Sequence, residues 1–238
     1  MENNYQNYYN PQPYGVHELE AKVSATMKRV YVKMFLALLV TAFVAMFCAQ
    51  SEGVIGFFAA NRWAMWVLVF AELGIVIGVS GGINKLSTGT ATMLFYLFAV
   101  INGLMLFPIL LAFTGVSVAK TFFITAGVFG AMSVYGYFTT QDLTKWGSFL
   151  FMALIGLIIC SVVNIFLRST TMEWIVSGAG VLIFIGLTAW DTQQIKAMAQ
   201  QMPADSVGKL ATLGALSLYL DFINLFLYLH RFFGSSRD

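Results

Sequence analysis

Apolar residues fall in long runs along this chain, broken only briefly by polar ones. Seven stretches qualify as spans, near 34–50, 63–82, 91–113, 121–138, 146–167, 174–190 and 211–229. A helix needs about 20 mostly apolar residues to cross ~30 Å of hydrocarbon. The breaks are Ser51-Glu52, Asn84-Lys85, Gln141-Asp142, Arg168-Ser169 and a longer one at 191–210. No run alternates with period two, which excludes a transmembrane barrel. Helices remain, because in lipid only helices and closed barrels satisfy their own backbone. The pattern predicts an all-α membrane protein, a bundle of seven transmembrane helices.

Composition agrees. Apolar residues make up 59% of the 238 and charged ones 10%, against roughly 25% charged in a soluble domain. Mean hydropathy is +0.78, so soluble classes, nucleic-acid binders among them, are excluded. A formal charge of +2 is too small to imply a polyanionic partner. Cys48 and Cys160 both lie inside apolar runs and read as small core residues, neither a disulfide framework nor a zinc site.

Three segments follow: a disordered polar tail over 1–20, a transmembrane domain over 21–233 and a short tail over 234–238. The opening residues, MENNYQNYYNPQPYGV, have no basic n-region or cleavage site and do not read as a signal peptide. Basic residues set the orientation. With the N-terminus inside, Lys22, Lys28, Arg29, Lys33, Lys85, Lys145, Lys196 and Lys209 lie inside, and Arg62, Lys120, Arg168, Arg231 and Arg237 outside. Eight against five favours a cytoplasmic N-terminus. A re-entrant last run would make the bias ten against three, so charge leaves the seventh span open and its length favours crossing.

Gly74, Gly78 and Gly82 recur four apart, a face on which helices pack closely. Pro108 is expected to kink the third span. Inside the spans only Glu72 and Asp221 are charged, with Asp191 just past the sixth. An acid at the bilayer centre costs about 2.5–3.5 kcal/mol on insertion scales, so such acids face a cavity or a partner. With 1.5 Å of rise per residue, Asp191 and Asp221 can reach a similar depth. Two carboxyls that close would share a proton. Glu72 would lie further along the axis, and Asn224, on the Asp221 face, would extend a polar file.

The segments Thr188 to Lys196 (TAWDTQQIK) and Leu218 to Phe226 (LYLDFINLF) closely resemble the paired signatures of the Bax inhibitor-1 family. Ala71-Glu72, the Ile101-Asn102-Gly103-Leu104 run and the seven-run layout resemble it too, and the tail and loops look most like bacterial members. The resemblance implies a seven-helix bundle with the last helix central, in a bacterial inner membrane, acting as a pH-sensitive calcium leak that acid opens. It implies a proton-sharing sensor at Asp191 and Asp221, with Glu72 on the ion pathway and Asn224, Asn102 and Lys85 as supporting polar groups. Ca²⁺ would be the permeant ion, touching Asp191, Asp221 and Glu72 transiently, with no cofactor and no tight metal site. Some members carry an arginine late in the second helix that pairs with the aspartates. Here that position is Gly82, and Lys85 is the nearest replacement.

Two protease readings fail on the residues. An aspartyl intramembrane protease needs Gly-x-Gly-Asp, whereas Asp221 follows Leu218-Tyr-Leu. Ser80, in Gly78-Val-Ser-Gly81, would need His230 as its base, because His17 is in the tail. The layout puts Ser80 and His230 on opposite sides, beyond the ~3 Å a general base needs. No enzyme is expected. The remaining alternative is a membrane partner that modulates another complex, such as a quality-control protease, and carries no flux of its own.

Overall fold

In the computed structural model, residues 15–83, 85–203 and 206–236 are described. Among them lie α1 (Val16–Gln50), α2 (Glu52–Ala60), α3 (Trp63–Gly82), α4 (Thr88–Ala112), α5 (Gly115–Phe138), α6 (Thr144–Leu167), α7 (Thr170–Gln201) and α8 (Val207–Phe233). Seven of these, all but α2, are long and apolar enough to cross a membrane. Of the tail expected over 1–20, residues 1–14 lie outside the described residues, as do Asn84 and Arg237.

Hydropathy windows missed the ends of two helices. Helix α1 starts at Val16, so 16–20 are helical and not tail. Its first half is polar on one side and buries Val23, Thr26, Met27, Val30 and Met34 on the other, the three-and-four spacing of an amphipathic helix. Helix α7 likewise runs on through the expected connector to Gln201, burying Thr192, Ile195 and Ala199. Asp191 is therefore inside a helix, ten residues or ~15 Å from its end. The break after Gln50 holds the extra helix α2, started by Ser51, whose hydroxyl accepts from the Val54 N–H at 3.5 Å. Helix α4 runs through Pro108 to Ala112, where any bend acts on its last turn alone.

Helix α8 is a single unbroken 27-residue helix, long and apolar enough to cross a membrane. It packs against α7, α1, α5 and α4 and buries Leu218, Tyr219, Ala215 and Leu225 completely. This is the bundle's centre. One end of the bundle holds the start of α1, the ends of α3, α5 and α7 and the starts of α4, α6 and α8. It gathers the eight basic residues counted above as inner and is called here the lysine-rich end. At the far end the chain's last described residues lie along the close of α4, where the Thr114 N–H donates to Ser235 O at 3.0 Å.

The glycines that bring helices together are not those of α3. Atoms added as Cβ at Gly74 or Gly78 would meet nothing within 4 Å, and at Gly82 only the end of Leu86. The expected packing face is open, and α3 packs chiefly against α4. Close approach occurs elsewhere. A Cβ at Gly136 would fall 2.2 Å from Ala189 O, at Gly147 2.2 Å from Trp190, and at Gly180 2.7 Å from Tyr228. These join α5, α6 and α8 to α7.

Candidate functional site

Glycine contacts set where α7 meets its neighbours around Asp191. Gly136 lets the α5 backbone touch Ala189, and Gly147 lets α6 receive the Trp190 ring. Beyond Asp191, Gln193 accepts from the Leu143 N–H at 2.9 Å and donates to Gln141 O at 2.8 Å. Lys196 donates to Tyr137 O at 2.6 Å and lies over the Tyr137 ring, 4.7 Å from its centroid. The 188–196 segment is thus a clamp. Its outer residues fasten α7 to α5, α6 and the loop between them, which leaves Asp191 aimed at α8.

There the carboxyls of Asp191 and Asp221 face each other within hydrogen-bonding reach, and Ser217, one turn before Asp221, reaches toward Asp191. Ionised carboxylates only accept, so a carboxyl–carboxyl bond requires a proton. Asp221 is buried and its second oxygen has no partner. Among the described residues no cation acts on either acid. Lys85 stands exposed in the turn after α3 and does not replace the arginine missing at Gly82. Asp221 lies 14 residues from the start of α8 and 12 from its end, near mid-length.

The other candidates sit apart from this pair. Glu72, on α3, accepts from Asn102 Nδ2 of α4 at 2.9 Å. The Asn102 amide oxygen is buried without a partner, and Glu72 acts electrostatically on Tyr219 of α8. Asn224 donates back to Leu220 O of its own helix at 2.8 Å, so it does not extend a file from Asp221 to Glu72. Ser80 ends α3 near the lysine-rich end, whereas His230 is buried at the far end against Phe113. The two never meet.

Sequence reasoning missed several polar contacts. Tyr219, fully buried, shares a 2.6 Å hydrogen bond with Thr41 of α1. Lys33 donates to Thr92 at 2.8 Å and Thr212 at 2.7 Å, joining α1, α4 and α8. Ser217, four residues before Asp221, was findable by helical spacing; the partners of Tyr219 and Lys33 come from distant helices and left no local signal. Outside the spans, the Thr144 N–H donates to Asp142 at 2.9 Å, and the bonds to Thr144 hold this exposed carboxyl below the usual aspartate range. What it contributes is present above a pH of about 3.8 and lost as pH falls through its lowered value. Asp142 therefore stays ionised throughout the range from pH 5 to 8.

A family described as inhibitor of apoptosis-promoting Bax1 matches residues 23–238. The chain belongs to the Bax inhibitor-1 family. Inner membrane protein YbhL of Escherichia coli is 46% identical over 230 residues, 95% of this chain and 98% of that protein. An uncharacterised protein of Rickettsia prowazekii is 46% identical over 213 residues, 89% of this chain and 90% of its own. One of Borreliella burgdorferi is 42% identical over 214 residues, covering 89% and 92%. As a member of this family the chain is a multi-pass membrane protein whose matched region takes in α2 to α8 and all but the first seven residues of α1.

Proposed function

We propose that this Bax inhibitor-1 family protein is a passive calcium leak of the bacterial inner membrane, controlled by one proton shared between Asp191 and Asp221. The E. coli relative carries inner membrane in its name, and the lysine-rich end is assigned to the cytoplasm by charge. The observation that carries the reading is a carboxyl–carboxyl contact across the α7–α8 crossing, close enough to bond through a shared proton, with no cation acting on it among the described residues. With one proton, that bond is charge-assisted. With two it is neutral and about half as strong, so acid loosens the crossing and favours the open form. Glu72 and Asn102 form a second oxygen-rich station suited to a hard cation in transit. No cofactor and no enzymatic step enter.

Calcium flux into liposomes holding only this protein tests the reading. Flux should rise as pH falls from about 8 to about 5, where a coupled carboxyl pair titrates. A flat profile, or none in protein-only liposomes, overturns it. The open glycine face of α3 favours a second reading, a surface for a membrane partner, and that reading predicts no flux from the protein alone.

A further inference from the structure

One row of hydroxyls on α5 takes no part in the contacts above. Ser117, Thr121, Thr125 and Ser133 share one buried face, with Phe129 filling the remaining fourth-residue place. Thr121 donates to Ser117 O at 2.9 Å and Thr125 to Thr121 O at 2.8 Å. The Thr121 and Thr125 hydroxyl protons are thus committed to their own helix, and their lone pairs remain able to accept.

The row faces α8 in antiparallel register. Thr121 meets His230 and Phe129 meets Phe222, eight residues apart on both helices. In that register Ser133 falls opposite Leu218, between Ser217 and Asp221, level with the aspartates. The row therefore runs from the far end of the bundle to the candidate site.

Its ends hold polar atoms with nothing to bond. Thr121 has no proton left to give, so His230 Nδ1 is the donor in their 3.3 Å contact, which leaves Nε2 as the ring's other polar atom. That Nε2 is buried without a partner, as are Ser133 Oγ, Thr192 Oγ1 and Asp221 Oδ2. Buried polar atoms in native folds are normally satisfied by protein or by water. Between the two ends, the Phe129 and Phe222 rings stand 5.4 Å apart at 69°, with Phe122 5.4 Å from Phe222. An aromatic constriction of this kind excludes water and gates by dewetting.

We propose that the α5–α8 seam is the water path from the far end to the Asp191–Asp221 pair, with His230 at its mouth and Phe129 and Phe222 as its closed gate. As a calcium path it rests on the leak reading above; as a water path it is tested without flux. Cys48 and Cys160 are replaced by alanine, and single cysteines are placed at Ser133, Thr125 and Gly127. Gly127 is on the same helix but opens on empty space, so it reports general loosening. A charged, membrane-impermeant thiol reagent is added from the side carrying the C-terminus.

Phe129→Ala should raise the labelling rate at Ser133→Cys by about tenfold or more, since the gate lies between that site and the reagent. Thr125→Cys, on the far side of the gate, should be labelled in both backgrounds at rates within about twofold. Gly127→Cys should stay unlabelled. An unchanged rate at Ser133→Cys, no labelling at Thr125→Cys, or a parallel rise at Gly127→Cys overturns the seam. If Phe129→Ala does not fold, Phe129→Leu should give a smaller rise at Ser133→Cys alone. Wild-type protein without calcium flux would overturn the leak and leave this outcome readable.

Discussion

Helices α3 and α8 look alike as sequence and differ in every physical respect once folded. Each is apolar enough to cross a membrane and each carries a single acid mid-span. Of the 20 residues of α3 only Ala64 and Val79 are buried, whereas α8 buries sixteen of its 27. Glu72 on the outer helix bonds to one neighbour, Asn102. Asp221 on the central one is walled in by protein and faces another acid. Lipid tails are as apolar as a protein core, so hydropathy does not distinguish a lipid-facing helix from a central one. Backbone proximity does, and glycine context reports it.

The comparison can be broken most forcefully at its glycines. Gly136→Ala sets a methyl 2.2 Å from a backbone oxygen of α7, which no side-chain rotation relieves, and should cost about 2–3 kcal/mol or more. Gly78→Ala on α3 meets nothing and should be neutral or gain up to about 1 kcal/mol in helix propensity. Thermal unfolding in detergent checks both, and equal losses would mean that α3 is packed after all.

The acids give the next largest contrast. On the proposed reading, in which the two share one proton, Asp191→Asn and Asp221→Asn should each remove most of the pH dependence of flux, and the double variant should add little. Glu72→Gln should change the rate at every pH and leave the midpoint nearly in place. Additive, independent shifts from the two aspartates would dissolve the pair. A midpoint moved by Glu72→Gln would join the two helices into one sensor.

A smaller effect is expected from Tyr219→Phe, which removes the hydroxyl bonded to Thr41 without changing the packed ring. The loss should be about 1 kcal/mol, read by the same unfolding assay. A loss no larger than that of an exposed substitution would show the α1–α8 bond to be dispensable.

The two aspartate motifs were legible because an acid inside an apolar run is costly and therefore rare. The same reasoning misplaced the packing glycines, since a small residue permits close approach without requiring it, and Gly136, Gly147 and Gly180 differ from Gly74 and Gly78 only in what lies opposite. Asn224 was placed on the Asp221 face by spacing, but its amide found a carbonyl of its own helix. A hydropathy window also ended α7 at 190, because a half-polar amphipathic extension averages out.

By itself the sequence determined the number of spans, the helical class, the family, and the acids that had to find partners inside. Those follow from the cost of unpaired backbone and charge in hydrocarbon, which acts on each segment alone. Tertiary structure alone decided that α8 sits inside and α3 outside, that Asp191 meets Asp221 without a cation beside them among the described residues, and that the α5 hydroxyls line up against His230. These depend on which backbones approach within contact, and an apolar helix carries no mark of that until a neighbour is laid against it.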